Sequence, residues 1–135
     1  VFRGEQAGKL MREKRALHER GSNVNVSSIN GRIPMHNQSI YSITKAALIS
    51  MTQAFAKELG RDKIRVNALL PGLTDTKFAS KLTQNKEMMK DVLQQIPLGR
   101  IAQPSEMSGM VLFLVSDAAS YVTGSTFTVD GGVLA

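Results

Sequence analysis

The alternation of helix-like and strand-like segments constrains the fold of this chain more than any other feature of its sequence. Short runs rich in β-branched or apolar residues indicate strands, and segments with apolar residues at helical spacing separate them. The predicted strands are Asn23–Ser27, Ile64–Leu70 and Thr126–Val129. Strands that alternate with helices favour a parallel sheet with right-handed crossovers. The sequence therefore predicts a single α/β domain over residues 1–135, with about three parallel strands and flanking helices.

The longest predicted helix runs from about Gln38 to Leu59, with Asn37 or Ser39 as its N-cap and Gly60 at its end. Its many small and apolar residues give it a wide surface that suits close packing. The other helical patterns span Phe2–Glu19, Thr74–Gln95 (in one or two pieces) and Pro104–Asp117.

Composition excludes several classes of protein. The chain has no cysteine, which excludes disulfide scaffolds, cysteine-ligated zinc and thiol nucleophiles. The two histidines, His18 and His36, lie far apart without a carboxylate at ligand spacing, so no metal site is expected. The longest apolar run, Met110–Val115, is too short to cross a membrane, and no signal peptide opens the chain. We therefore expect a cytoplasmic protein with no membrane partner.

The chain is basic, with 17 Lys and Arg residues against 11 Asp and Glu and a formal net charge of +6. Six of the basic residues fall within the first 20 positions, so a nucleic-acid-binding segment is one interpretation. Glutamates are interspersed there, however, and no aromatic residue is interleaved with the basic run. A solvated helix face of mixed charge is the favoured interpretation, and no nucleic-acid partner is expected.

Tyr41 and Lys45 are the first candidates for a chemical role, because they lie four residues apart on the longest predicted helix. This spacing places both side chains on one face, one turn apart. A positive charge about 4 Å from a phenolate stabilises it by about 4 kcal/mol at an effective dielectric constant of about 20. The first turn of a helix also favours negative charge. The pair therefore suits a tyrosine general acid-base, although Tyr-x-x-x-Lys also occurs by chance on many helix surfaces.

Two polar segments follow predicted strands and extend this candidate site. Ser28 comes directly after the first strand, where its hydroxyl could polarise a substrate carbonyl. The turn Pro71–Thr76 follows the next strand. Ligands of α/β sheets bind outside the carboxyl ends of parallel strands, so this turn is a candidate for holding an amide group.

Four segments in order, VNVSS, YSITKAALISMTQAFAKELG, IRVNALLPGLTDT and YVTGSTFTVDGG, resemble the second half of a short-chain dehydrogenase/reductase. The resemblance covers essentially the whole chain with the spacing of the family. It implies a partial Rossmann-like, doubly wound parallel sheet. It also implies an NAD- or NADP-dependent oxidoreductase that transfers a hydride between nicotinamide and a ketone or secondary alcohol.

The resemblance implies a role for each candidate residue. Tyr41 corresponds to the catalytic tyrosine that exchanges a proton with the substrate oxygen, and Ser28 to the serine that orients that oxygen. Lys45 corresponds to the lysine that stabilises the tyrosinate and binds the nicotinamide ribose. Five residues match the turn that holds the nicotinamide carboxamide and a nearby phosphate: Pro71, Gly72, Leu73, Thr74 and Thr76.

Further expectations follow from the same resemblance. The protein would be a homo-oligomer, a dimer or tetramer, that acts on a small carbonyl or alcohol compound. The substrate cleft would lie beside Asn30–Ile40 and Lys77–Ile96. Two residues match family positions of structural type, Asn67 and Asp130, and two without a family role are expected on the solvated surface, Arg61 and Arg65.

The chain departs from the family pattern in its nucleotide-binding segments. The family carries a glycine-rich pyrophosphate loop and an Asn-Ala-Gly segment, and the 135 residues contain neither, nor any G-x-G triplet. The match is therefore to the C-terminal catalytic half, and we expect the chain alone to bind NAD or NADP poorly and to be inactive. An alternative hypothesis is a truncated relative that serves as an oligomerising module. Neither the substrate nor the choice between NAD and NADP follows from these residues.

Overall fold

A computed structural model describes residues 6, 9–11, 21–76 and 86–135 of the chain. Residues 9–11 are helical, and the rest of the predicted first helix, Phe2–Glu19, lies almost entirely outside the described residues. The described residues contain a three-stranded sheet with helices on both of its faces.

The sheet is parallel throughout, with strands β1 (Gly21–Val26), β2 (Ile64–Pro71) and β3 (Thr126–Val129) side by side in that order. Val26 of β1 pairs with Leu69 of β2, and Leu70 of β2 pairs with Thr128 of β3. The central strand β2 is buried along nearly its whole length, as its mostly apolar sequence favours. The predicted fold class is therefore confirmed, and the predicted bounds of β1 are wrong by one or two residues.

Three α-helices accompany the sheet: α1 (Ser39–Leu59), α2 (Lys86–Gln94) and α3 (Ser108–Val115). Short 3-10 turns lie at Ile29–Gly31, Gly60–Asp62, Pro104–Met107 and Asp117–Ala119. No helix of the described segments has the length and apolar character needed to cross a membrane.

Two predicted helix boundaries are corrected by the structure. The N-cap of α1 is Gln38 rather than Asn37 or Ser39, and no side chain caps this end. Gly60 follows α1 as predicted but keeps a right-handed conformation, and the chain reverses at Lys63 with φ 58°. The segment that begins at Pro104 is a 3-10 turn, with a capping box between Gln103 and Glu106, and the α-helix proper starts only at Ser108.

Helices α1 and α3 cover opposite faces of the sheet. In β1, Asn25 Nδ2 donates to Thr52 Oγ1 on α1 at 2.9 Å, whereas Ser22 Oγ donates to the Leu114 carbonyl on α3 at the same distance. An odd separation along a strand places two side chains on opposite faces, which explains this division. A buried apolar cluster joins α1 to β2: Ala56, Leu59, Ile64 and Val66.

Arg65 is not a surface residue, contrary to the sequence-based expectation. It is 9% exposed, and its guanidinium donates to the carbonyls of Leu114 at 2.7 Å and Ser116 at 3.1 Å. The last carbonyls of a helix lack partners within the helix and favour a positive charge. Arg65 therefore fixes the end of α3 against β2, while Arg61 is exposed as expected.

Asn67 and Asp130 hold the chain around β3. Asn67 is fully buried, donates to the Val122 carbonyl at 2.9 Å and accepts from the Ser125 N–H at 3.1 Å. The Asp130 carboxylate accepts from the N–H groups of Gly132 and Leu134, both at 2.9 Å. These two side chains therefore satisfy main-chain groups on either side of the strand and place the turn after β3 beside the carboxyl edge of the sheet.

A candidate active site at the carboxyl edge of the sheet

The carboxyl ends of β1 and β2 bring two polar segments together. Ser27 continues the ladder beyond β1, because its N–H donates to the Leu69 carbonyl at 2.8 Å. Ser28 follows as the N-cap of the first 3-10 turn, and its Oγ accepts the Asn30 N–H at 3.2 Å. Both serines are buried. Ser28 is therefore held at a defined position at the edge of the sheet where a parallel fold accepts ligands.

Tyr41 and Lys45 lie on the first two turns of α1 and face the same edge. The Lys45 Nζ lies 5.4 Å from the centroid of the Tyr41 ring, within the range of a cation–π contact. The same Nζ donates a hydrogen bond to the Val26 carbonyl at 3.0 Å. Partial burial lowers the pKa of Lys45 below its ordinary value, because desolvation disfavours the ammonium form.

The position of Lys45 is fixed by its main chain as well as by its side chain. Ser27 Oγ donates to the Lys45 carbonyl at 2.8 Å, which joins the end of β1 to the second turn of α1. A Cβ added to Gly31 would lie 2.9 Å from both the carbonyl carbon and the oxygen of Lys45. Only glycine allows the first 3-10 turn to approach the helix this closely.

A hydrogen-bonded pair that sequence reasoning did not single out lies between Ser28 and α1. Asn30, which is 6% exposed, donates from Nδ2 to the Gln38 Oε1 at 2.6 Å. The Ser28 Oγ lies 3.5 Å from the Asn30 Oδ1, a long contact for a hydroxyl donor. The resemblance had placed this loop beside a cleft, but nothing in the spacing of Asn30 and Gln38 indicates that their side chains meet.

The turn after β2 forms the opposite side of the site. Its Gly72 N–H donates to the Val129 carbonyl at 2.9 Å, and a Cβ at Gly72 would lie 2.7 Å from the Asp130 Cα. A parallel bridge joins Thr74 to Ala102, with the Ala102 N–H donating to Leu73 at 3.0 Å and the Asp75 N–H to Ala102 at 2.8 Å. The turn is therefore tied to β3 on one side and to the segment before α3 on the other.

An exposed ion pair stands next to that bridge. The guanidinium of Arg100 makes two hydrogen bonds to the carboxylate of Glu106, at 2.7 and 2.8 Å, and Glu106 also accepts the Gln103 N–H at 2.8 Å. The hydrogen bond from Arg100 is the main reason that the pKa of Glu106 falls to about 2. This pair closes the short loop that carries Ala102.

These elements enclose one cavity of about 450 Å³. Every residue that the sequence singled out for catalysis or cofactor binding lines it, namely Ser28, Tyr41, Lys45, Pro71, Gly72, Leu73, Thr74 and Thr76. Most of the remaining wall is apolar, with Ile29, Met35, Val92, Ile96, Met107 and Val133 among its members. The volume lies within the range of small-molecule sites. Lys45 is the one charged side chain among the lining residues that the structure describes.

The cavity offers two kinds of contact on opposite sides. Hydroxyl groups and an amine occur on the β1–α1 side, where an oxygen of a bound molecule could exchange a proton. Main-chain groups and threonine hydroxyls occur on the side of the turn Pro71–Thr76, beside apolar residues that suit a flat ring. This donor set fits a nicotinamide ring with its carboxamide, and it contains no acidic ligand for a metal ion among the described lining residues.

Comparisons with known proteins identify the family to which the chain is similar. The family model described as enoyl-(acyl carrier protein) reductase matches residues 5–134. The 3-oxoacyl-[acyl-carrier-protein] reductase of Thermotoga maritima is 44% identical over 114 residues, which are 84% of this chain and 46% of that protein. The chain spans less than half the length of the curated relatives that it matches.

Two solved structures are similar in fold across nearly the whole chain. A 4-hydroxyisoleucine dehydrogenase complexed with NADH superposes with a TM-score of 0.91 at 30% identity, over 98% of this chain and 53% of that one. A short-chain type dehydrogenase/reductase from Mycobacterium ulcerans gives a TM-score of 0.88 at 35% identity, over 96% of this chain and 46% of that one.

Proposed function

The chain belongs to the short-chain dehydrogenase/reductase family, and from this membership we propose that it carries the proton-transfer and nicotinamide-facing part of an oxidoreductase site. The reaction would interconvert a ketone and a secondary alcohol. The observation that carries the proposal is the common cavity of Ser28, Tyr41, Lys45 and the turn Pro71–Thr76. The names of the similar proteins support it, since one is a 3-oxoacyl reductase and another a 4-hydroxyisoleucine dehydrogenase.

Ser28 would hold the substrate oxygen. Its Oγ already accepts the Asn30 N–H, so its lone pairs are partly engaged and its proton is the group left to offer. The alternative acceptor for that proton, Asn30 Oδ1, lies 3.5 Å away and competes weakly. A carbonyl oxygen at normal hydrogen-bond distance would therefore take over the Ser28 proton, which orients the carbonyl for reaction.

Tyr41 would be the general acid in reduction and the general base in oxidation. Its phenol gives a proton to the substrate oxygen as that oxygen becomes a hydroxyl, and it takes the proton back in the reverse direction. Lys45 would stabilise the phenolate form, since its Nζ lies against the ring and no acidic side chain occurs among the described lining residues. The hydrogen bond to Val26 and the bond from Ser27 to the Lys45 carbonyl keep the amine in place.

NAD or NADP, when bound, would supply or accept the hydride. The turn Pro71–Thr76 would hold the carboxamide end of the nicotinamide, and Lys45 would hold its ribose. The apolar residues around Val92 and Met107 would exclude water from the reacting carbon. The described residues offer no glycine-rich loop for the pyrophosphate, so the fit covers the nicotinamide end alone.

A nucleotide titration tests cofactor binding directly. The purified 135-residue protein would be titrated with NADH and, separately, with NADPH, and the nicotinamide fluorescence would be followed. Weak binding that saturates only at high nucleotide concentration is the expected result, because the described residues fit only the nicotinamide end. A preference between the two nucleotides would identify the cofactor. A linear response with both would contradict binding by this protein as it stands.

Replacement of Tyr41 by Phe tests the acid-base assignment. In any preparation that turns over a 3-oxoacyl thioester with the preferred nucleotide, we expect this replacement to lower turnover by about 10²- to 10⁴-fold, the usual contribution of a positioned acid-base group. Tyr121→Phe is the matched control, because the other of the two tyrosines is fully exposed. Equal activities of the two variants would refute the role of Tyr41.

An oligomerising module is the second candidate, and exposed apolar residues on α1 favour it. Ile40 is 74% exposed and Ile43 is 63% exposed, and the small residues Ala46 and Ala47 are exposed as well. Within the described residues, β1 also has no strand beyond it in the sheet. We propose that this face pairs with a second copy in a dimer or tetramer. Sedimentation as a single monomeric species at micromolar concentration would contradict this pairing.

The cytoplasmic location expected from the sequence remains a prediction.

A further inference from the structure

Gln38 carries two amide N–H groups on the wall of the cavity that the proposed function does not use. Its Oε1 accepts from Asn30 Nδ2 at 2.6 Å, and the residue lines the cavity of about 450 Å³. A primary amide has two N–H donors and one oxygen acceptor, and the bond from Asn30 engages only the oxygen. No hydrogen bond joins Gln38 Nε2 to any residue that the structure describes. Both donors are therefore available to a bound molecule.

The contacts around Gln38 hold it in one orientation. Its N–H donates to the Met35 carbonyl at 3.1 Å, and its carbonyl accepts from the Ser42 N–H at 2.8 Å and the Ser42 Oγ at 2.9 Å. Asn30, which binds the side chain, is buried, and its own N–H donates to the Ser28 Oγ at 3.2 Å. Because Asn30 takes the Gln38 Oε1, the NH₂ end of the Gln38 amide is turned away from Asn30.

The distance from Gln38 to the proposed reacting groups is about one helical turn. Gln38 is the N-cap of α1 and precedes Tyr41 by three residues. Residues three apart on a helix lie on one face, with Cβ atoms about 5–6 Å apart. Ser28 lines the same cavity. A molecule whose carbonyl oxygen meets Ser28 and Tyr41 can therefore present a second oxygen to Gln38.

From this geometry we infer that Gln38 selects substrates with a second, uncharged carbonyl oxygen close to the reacting ketone, as in a 3-oxo ester. The inference rests on the proposed function, which places the ketone oxygen at Ser28 and Tyr41. The Gln38 N–H donates to the second oxygen, and this bond fixes which side of the ketone faces the helix. Gln38 is thus a specificity-determining residue.

The rest of the wall defines the remainder of the substrate. A carboxylate beside Gln38 would lose solvation and find no cation other than Lys45 among the described lining residues, so an ester or thioester is favoured over an acid. Met35, Val92 and Met107 are apolar and suit an alkyl chain.

Two uncharged ligands of equal chain length test the inference on the 135-residue protein. Methyl 3-oxohexanoate has the ketone and the second carbonyl, whereas octan-4-one has the ketone alone, with methylenes in place of the ester group. Dissociation constants would be measured by NMR titration of ¹⁵N-labelled protein in the absence of nucleotide. We expect the keto ester to bind about fivefold more tightly, the gain from one neutral hydrogen bond, and to shift the Gln38 NH₂ signal.

Two substitutions separate the N–H donors of Gln38 from its bond with Asn30. Gln38→Met keeps the length of the side chain without the amide, and Gln38→Glu keeps an acceptor for Asn30 but has no N–H. We expect both variants to bind the two ligands with affinities within about twofold of each other. Gln53→Met is the matched control, because Gln53 is an exposed glutamine of α1 that does not line the cavity, and it should keep the fivefold preference.

Equal affinities for the two ligands in the native protein, or binding of neither, would overturn the inference. A preference for the keto ester that survived in Gln38→Met would overturn it as well. None of these measurements involves a nucleotide or a proton transfer by Tyr41. Failure of the proposed function therefore appears separately, in the nucleotide titration and in the Tyr41→Phe comparison.

Discussion

The two sides of the cavity are built differently. The β1–α1 side is held by short, partly buried hydrogen bonds of side chains, such as Ser27 to the Lys45 carbonyl at 2.8 Å and Asn30 to Gln38 at 2.6 Å. The side of the turn Pro71–Thr76 is held by main-chain bonds to β3 and to Ala102, with the exposed Arg100–Glu106 pair beside them. Side chains therefore tie one side together, whereas the other includes an exposed ion pair that water and salt can weaken.

This difference matches the proposed division of labour. Proton transfer requires that donor and acceptor be placed to within a fraction of an ångström, which buried and satisfied hydrogen bonds provide. A turn that receives and releases a nucleotide must open, and segments that move are drawn from the less stable parts of a fold. The predictions below compare the two sides, beginning with the largest effect on stability.

Two glycines test how tightly each side is packed. A Cβ at Gly31 would lie 2.9 Å from the Lys45 main chain, and one at Gly72 would lie 2.7 Å from the Asp130 Cα. Because main-chain atoms cannot yield as the end of a side chain can, we expect Gly31→Ala and Gly72→Ala each to cost about 1–3 kcal/mol of unfolding free energy. Urea unfolding measures this.

Gly60→Ala is the matched control for both variants. Gly60 has φ −60° and no atom within 4 Å of an added Cβ, so alanine should be neutral or stabilise by about 0.4–1 kcal/mol. If Gly72→Ala behaved like Gly60→Ala, the turn after β2 would be free to shift away from Asp130. That result would sharpen the contrast between the two sides.

Two hydroxyl deletions give a smaller and more direct comparison. Ser27→Ala removes the buried bond to the Lys45 carbonyl and should cost about 1 kcal/mol. Thr74→Val removes a longer bond, 3.2 Å, to the carbonyl of Gly72 only two residues away in the same turn. We expect its cost to be no more than about half as large. Equal costs in urea unfolding would break the comparison, because the turn would then be held as firmly as the β1–α1 side.

The sequence predicts the fold because its local signals agree with the global architecture. The mostly apolar sequence of β2 favours burial on both faces, and the long helical pattern before it supplies one of the two covering layers. The candidate site follows for a related reason, since carboxyl ends of adjacent parallel strands must meet at one edge. Ser28 and the turn Pro71–Thr76 could therefore be expected close together without any structure.

The missed features depend on contacts between residues far apart in the chain. Arg65 carries a charge and would ordinarily lie on the surface. Its burial is explained by its hydrogen bond to the Leu114 carbonyl at the end of α3, which lies 49 residues further along the chain. The Asn30–Gln38 bond depends on the exact path of a polar loop, which periodicity does not determine. The absence of a side-chain cap on α1 is similar, because Asn37 and Ser39 are both suitable residues but the path of the backbone puts Gln38, which lies between them, at the N-cap.

The exposed ion pair gives the smallest effect and the one with a pH signature. The pKa of Glu106 is lowered from 4.5 to about 2, chiefly by its hydrogen bond from Arg100. A carboxyl pKa that is lowered in the folded state stabilises that state at pH values above the ordinary carboxyl pKa, and this contribution disappears as the pH falls through about 2.

Glu106→Gln should therefore lower the urea midpoint slightly near neutral pH, and the difference in midpoint from the native protein should disappear on acidification. Molar salt should close it too, because exposed pairs are screened. A gap that persisted at about pH 2 would contradict a role for the charge of Glu106, and would mean that the turn side of the cavity is less sensitive to solvent than the exposure of this pair suggests.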